Sequence, residues 1–232
     1  EFGDGGGMAN SEHSTATLVD CAISGNVARI GGGMHNNASI VELTRCAIVG
    51  NTASVAATIY AGLASTVTFA NCTVSGNEGS GVEVYEESDF LLVNTILWGN
   101  SPVNTSTTTA LHMLANYSNI GLPSGILVPG VGNINTDPIF VDPDGGDYSL
   151  SEGSPCIDAG SPNSPLDLDG TRADIGAFPF DHSSLVPQLS LPEIDAPAGL
   201  IARIPILGTM VGAQSARLAF LVDASVVVPD ER

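Results

Sequence analysis

Apolar residues along this chain recur in columns. Ala16, Val41, Val67 and Phe90 are separated by 25, 26 and 23 residues, and Leu18, Leu43, Phe69 and Leu92 follow the same three intervals. Ile23, Ile48, Val74 and Leu97 form another column. Asn26, Asn51, Asn77 and Asn100 form a polar one, each asparagine closing a tripeptide such as Ser24-Gly25-Asn26 or Ser75-Gly76-Asn77. A shared period of this length marks a solenoid, in which one small unit stacks on the next. Within a unit the apolar positions alternate, as in Ala16 with Leu18 and Cys21 with Ile23, which is the pattern of a strand with one buried face. The step between the pairs is odd, so the chain must bend at Val19-Asp20 for both to face inward.

Glycine runs at Gly5-Gly6-Gly7-Met8 and Gly31-Gly32-Gly33-Met34, echoed at Gly79-Ser80-Gly81-Val82, supply tight corners between units. The units lack the leucine density of a leucine-rich repeat. The pattern therefore predicts an all-β chain built as a parallel β-helix, its strands stacked at ~4.8 Å and like residues filling the bore. In that geometry the asparagine column becomes a hydrogen-bonded ladder at a bend. Cys21, Cys46 and Cys72, continued by Thr95, become a buried column of small apolar side chains, in which a disulfide is allowed but not required. Replacing Cys46 by Ser is then expected to cost ~1–3 kcal/mol through a buried, unpaired hydroxyl.

Composition narrows the partners. The chain has 232 residues, a net charge of −19, and six arginines with no lysine. That balance argues against nucleic acid and against insertion into or attachment to an anionic membrane. No stretch reaches the ~18–20 apolar residues of a membrane span, and no signal peptide is visible. Richness in Ser, Thr, Asn and Gly, the missing lysine and the repeats together predict a secreted or cell-surface protein. Asn37, Asn71, Asn104 and Asn116 stand in glycosylation sequons. The chain opens without a methionine, directly into a glycine corner, as an internal or processed piece of a larger protein would.

After Asn100 the period fades. There follow DPIFVDPDGGDYSLSEGSPCIDAGSP (137–162) and LDLDGTRADIGAFPF (166–180). With the Ser-Gly-Asn coils and the Gly-Gly-Gly-Met corners, these strings resemble the bacterial right-handed β-helix proteins called choice-of-anchor Q domain proteins. The resemblance implies a surface or secreted protein, commonly followed by an anchoring module, in a family whose activity is mostly unassigned. Phe178-Pro179-Phe180 departs from the aromatic-acidic pair usual there. We expect residues 1–182 to form a right-handed parallel β-helix whose closing segment, 137–180, caps the last coil and blocks its strand edges. Residues 183–232 are expected to form a β-strand tail: LPEIDAPAGLIARIPI and SARLAFLVDASVVV resemble the opening strands of a cohesin-like β-sandwich module, and the length is roughly half a sandwich. Half a sandwich leaves an edge and an apolar face to pair elsewhere, so Leu200, Ile204, Ile206, Leu218, Phe220 and Val222 are candidates for head-to-tail assembly into a filament.

Candidate chemistry is thin. Eliminative lysis of a uronate needs cations to neutralise its carboxylate, yet the repeats hold only Arg29 and Arg45, in different columns. A glycosidase needs two facing carboxylates, but Glu42 aligns with Thr17, Thr68 and Leu91, and the Glu86-Glu87-Asp89 cluster reads as loop. His13, His35, His112 and His182 form no metal or triad spacing, and Ala9, His35, Tyr60 and Glu83 share an outward column that could serve as a shallow binding stripe. Calcium is the one cofactor to consider: Asp142, Asp144 and Asp147, and Asp167 with Asp169, sit on glycine turns as hard-cation ligands do. The expectation is a non-enzymatic structural or adhesive β-helix whose partners are copies of itself or cell-surface glycans. The alternative is a polysaccharide lyase, glycoside hydrolase or carbohydrate-binding module.

Overall fold

The computed structural model describes residues 3–85, 87–101, 105–107, 113–121 and 128–182. The chain divides into two units, at residues 186 and 187. The tail from 183 onward, with all six residues proposed for assembly, lies outside the described residues, as do Glu86, Asn104 and His112.

The coils form three long parallel sheets, with a short fourth pairing of Val27–Ala28 and Thr52–Ala53. The first contains Met8–Asn10, Met34–Asn37, Ile59–Gly62, Val82–Val84 and Thr105–Thr107. The second runs through Thr15–Val19, Ile40–Thr44, Thr66–Ala70, Asp89–Val93, Met113–Asn116 and Val128–Pro129, and the third through Ala22–Ser24, Ala47–Val49, Thr73–Ser75, Ile96–Trp98 and Asn119–Ile120. Registers follow the sequence columns: Ala16 pairs with Val41, Val41 with Val67, and Val67 with Phe90. The bore holds Val41, Leu43, Val67, Phe69, Leu92 and Leu97, all essentially without exposure, and Phe69 meets Phe90 edge to face at 5.0 Å.

The odd step between apolar pairs is a left-handed residue. Asp20, Arg45, Asn71, Asn94 and Tyr117, one per coil, turn the chain from the second sheet to the third with φ of 48–54°. At the next corner the work falls to glycine, with φ of 61–67° at Gly25, Gly50, Gly76 and Gly99. Gly32 is required for a different reason, because a Cβ there would collide with the Thr52 carbonyl of the next coil.

The closing segment corrects the capping expectation. Residues 128–136 first extend the stack: Ile134 bridges to Asn119, and the Asn133 side chain accepts from the Ser118 amide at 3.0 Å. The chain then doubles back through an antiparallel hairpin, Phe140–Asp142 with Asp147–Leu150, and lies along the outer face of the third sheet. Ala177 N donates to Thr73 Oγ1 at 3.0 Å, and Gly176 N to the Asn94 carbonyl at 2.8 Å. A second core joins Ile96 to Leu150, Cys156 and Ile175, with Trp98 and Phe140 packed against it. The physical cause is in the outward positions of the third sheet. Ala47, Ile96 and Trp98 face away from the bore and need cover, which a segment laid along the flank supplies.

Candidate functional site

Three columns of polar or sulfur-bearing side chains occupy the corners of the coils. Asn26 Nδ2 donates to Asn51 Oδ1 at 2.9 Å, Asn51 to Asn77 at 3.1 Å, and Asn77 to Asn100 at 2.7 Å. The same oxygens accept the backbone amides of Asn26, Asn51 and Asn77 at 3.0, 2.9 and 3.2 Å. The second nitrogen–hydrogen of each inner amide holds a carbonyl of the preceding coil, Ile23 for Asn51, Ile48 for Asn77 and Val74 for Asn100. Such a column satisfies buried polar groups only when every rung is present.

In the other predicted column, Cys46 and Cys72 are buried and Cys21 is exposed, all three as free thiols. Cys21 differs because it precedes Ala22–Ser24, the edge strand of the third sheet, and has a neighbouring coil on one side only. Each sulfur bonds the carbonyl two residues back, Cys46 to Thr44 and Cys72 to Ala70, both at 3.3 Å. Thr95 and Ser118 make the same bond with hydroxyls, to Val93 and Asn116 at 3.0 Å. The column therefore accepts a hydroxyl, and the expected cost of Cys46→Ser is revised downward. Burial pushes the Cys72 thiol well up. A further column was legible at the same three intervals but was missed, because serine reads as loop: Ser14, Ser39, Ser65 and Ser88. Ser14 and Ser39 Oγ lie 3.2 Å apart, Ser65 Oγ accepts the Ser39 amide at 3.3 Å, and Ser88 Oγ the Ser65 amide at 3.1 Å.

On the outer face of the first sheet, the predicted stripe pairs Ala9 with His35, His35 with Tyr60, and Tyr60 with Glu83. The rings stack along the coil axis, His35 on Tyr60 at 5.1 Å and 7°, and Tyr60 on Tyr85 at 6.0 Å and 27°. They cover one another's faces and present edges. Partial burial lowers the His35 pKa against the opposing pull of Asp4. Glu83 is tied to the stack's floor by accepting from the Ala57 amide at 3.2 Å.

The calcium candidates are engaged with their own turns. Asp142 Oδ1 accepts Gly145 N at 3.0 Å, and Asp147 accepts Ser149 N at 3.0 Å. Asp167 accepts Asp174 N at 2.8 Å, and Asp169 accepts both Thr171 N and Thr171 Oγ1, at 3.0 and 2.7 Å. Asp144 instead lines a hollow beside the coils. Among the described residues no group of three or more His, Cys, Asp or Glu side chains is placed to hold a metal ion.

His182, expected as an isolated surface residue, is drawn into this cluster. Its Nδ1 lies 2.7 Å from Asp169 and its Nε2 3.7 Å from Asp158. Hydrogen bonding to Asp169 raises the His182 pKa, and bonds from Thr171 and then His182 hold the Asp169 carboxyl well below its usual range. Asp174, almost wholly buried, accepts Asp158 N at 2.7 Å and Phe180 N at 2.6 Å, while burial raises its pKa. Asn94 ties this region to the coils, accepting Ser161 N at 2.6 Å and donating to Ser164 Oγ at 2.9 Å. Nothing in the sequence period marks Asn94 or Asp174 for these roles.

The arginines are all engaged among the described residues. Arg29 meets Asp4 at 3.0 Å, Arg45 grips both oxygens of Asp20 at 2.6 and 2.8 Å, and Arg172 donates to the Gly160 carbonyl at 2.6 Å.

A stacked, three-sheet coil with inward ladders defines a parallel β-solenoid. Residues 2–120 match the family model for the right handed beta helix region, and the chain belongs to that right-handed β-helix family. No curated protein and no solved structure matches it.

Proposed function

We propose that this protein is a non-enzymatic, extracellular or cell-surface β-helix with a structural or adhesive role. The observation that carries the reading is the commitment of the cations among the described residues. A lyase acting on acidic glycans needs an arginine or lysine free to meet a carboxylate. Here Arg29 and Arg45 each face an aspartate of the neighbouring coil, and Arg172 is bound into the closing segment. What repeats from coil to coil is a set of inward ladders, which suits a stiff scaffold.

The finer family reading rests on the closing strings, which resemble a choice-of-anchor Q domain, and on a tail that resembles a cohesin-like module. Assembly into filaments through Leu200 to Val222 rests on the sequence of that tail. Secretion or surface display is supported by the missing lysine and the Ser, Thr, Asn and Gly bias.

Incubation of the purified protein with polygalacturonate and alginate tests the reading. We expect no unsaturated oligosaccharide. Its release, lost on changing Arg29 or Arg45, would establish the lyase alternative. Electron microscopy of the same preparation tests assembly, with particles that stay single at high concentration counting against a filament.

A further inference from the structure

The closing hairpin does not lie flat on the coils. Between it and the row of glycine turns run two hollows of about 450 and 580 Å³, which share Gly76, Pro143, Asp144 and Tyr148 in their walls. Together they make a furrow along the coil axis, from Gly25 and Gly50 to Trp98 and Gly99, interrupted where the Tyr148 hydroxyl packs on Gly76. Each half falls within the ~300–1,000 Å³ of small-molecule sites. At Gly25 and Gly50 the floor is bare, because left-handed turns demand glycine and a Cβ there would meet nothing within 4 Å.

The lining has a definite chemistry. Trp98 packs one side against the second core and is part-exposed to the hollow, while Tyr148, buried and fixed by an edge-to-face contact with Phe140 at 5.3 Å, closes it off. Asp137 and Asp144 add carboxylate acceptors, and neither hollow is lined by an arginine or histidine. A ligand for this furrow must therefore offer hydrogen-bond donors, carry no negative charge, and present flat apolar faces to an aromatic ring. The net charge of −19 repels acidic polymers before they reach it. Coils repeat at ~4.8 Å, close to the advance of one sugar unit in an extended glycan.

We propose that this furrow binds a neutral glycan chain, with Trp98 as its stacking wall and Asp137 and Asp144 as acceptors for its hydroxyls. The proposal rests on the adhesive, non-enzymatic reading and names its partner.

Trp98 is the only tryptophan in the chain, so its fluorescence reports on the furrow without a label. The full chain is titrated with neutral hexasaccharides (cello-, manno-, xylo-, malto- and chito-series) and with an oligogalacturonate of equal length. We expect a saturable change in emission with at least one neutral oligomer and none with the oligogalacturonate. The double variant Asp137→Asn, Asp144→Asn retains the turn, because an amide oxygen can still accept Ile139 N as Asp137 Oδ1 does at 2.9 Å. It should weaken binding at least tenfold, on the order expected for lost charge-assisted hydrogen bonds. Calorimetry of Trp98→Phe should show a similar loss, whereas Thr17→Ala, at an exposed position of the second sheet, should bind as the unaltered protein does.

Three results would overturn the furrow: no neutral oligomer bound, binding undiminished in the double variant, or tighter binding of the oligogalacturonate. New reducing ends in the mixtures would overturn the non-enzymatic reading instead, whatever the affinity.

Discussion

The coil stack and the closing segment are held together by opposite strategies. In the coils the inward side chains meet a like residue one turn away: asparagine on asparagine, serine on serine, and in the bore aliphatic and aromatic residues such as Phe69 against Phe90. In the closing segment every important contact is made once. Asn94 bonds residues 67 and 70 positions away, and Thr73 bonds Ala177 across 104 positions. A repeating lattice distributes its stability over neighbours, so a missing rung is felt above and below. A flank held by single hooks opens at the hook that is lost.

The most damaging single change predicted is therefore in a ladder. Asn77→Ala removes the acceptor of both Asn51 N and Asn51 Nδ2, and frees the Ile48 carbonyl. With ~1–3 kcal/mol for each buried group left without a partner, we expect a loss of about 3–5 kcal/mol. Urea unfolding followed by circular dichroism measures it, and a loss under about 1 kcal/mol would show that the column is decorative.

Asn94→Ala sharpens the contrast. It leaves Ser161 N without its acceptor and should cost about 1–3 kcal/mol. The loss should fall on the closing segment, seen as faster proteolysis between residues 137 and 182 while the coil strands stay resistant. Cleavage within the second sheet at the same rate would erase the distinction.

Smaller effects follow at single rungs and hooks. Cys46→Ser should cost less than about 1 kcal/mol, because a hydroxyl can take the bond to Thr44 that Ser118 already makes to Asn116. Thermal melts of the two proteins decide it, and a loss of several kcal/mol would mean that the sulfur is needed for its volume. At His182 the effect depends on pH. Its pKa is raised above the ordinary 6.5 by Asp169, so its contribution is complete below that value and is lost as pH rises through the elevated one. Asp169 is shifted down, so its share persists above its ordinary 3.8 and disappears only in acid. Proteolysis of the closing segment should quicken between neutral and mildly alkaline pH, and His182→Gln should abolish that dependence. An unchanged profile in the variant would remove His182 from the account.

The same contrast explains what could be read from the sequence. Columns, bends and the asparagine ladder were legible because stacking converts spatial neighbours into a fixed interval, and the serine column needed only the same arithmetic. Cys21 shares the spacing of the buried column and yet is exposed, since an edge strand has a neighbouring coil on one side only and the interval does not show that. The course of the closing segment was illegible for a different reason. Its strings resemble a family, but their anchoring at Asn94 and Thr73 has no period. The apolar outward positions Ala47, Ile96 and Trp98 were the available signal: a strand buried on both faces asks for a second layer. The furrow is a product of that second layer, and Trp98 and Tyr148 come together only when the chain has doubled back.

Hydrogen exchange of the whole protein, resolved by peptide, tests the division between lattice and flank most directly. Amides of Val41 to Leu43, Val67 to Phe69 and Phe90 to Leu92 should exchange only through global unfolding. Those of Ser161, Gly176 and Ala177, bonded to Asn94 and Thr73, should exchange together through a separate and easier opening. Equal protection in the two regions, lost in one step, would contradict the account.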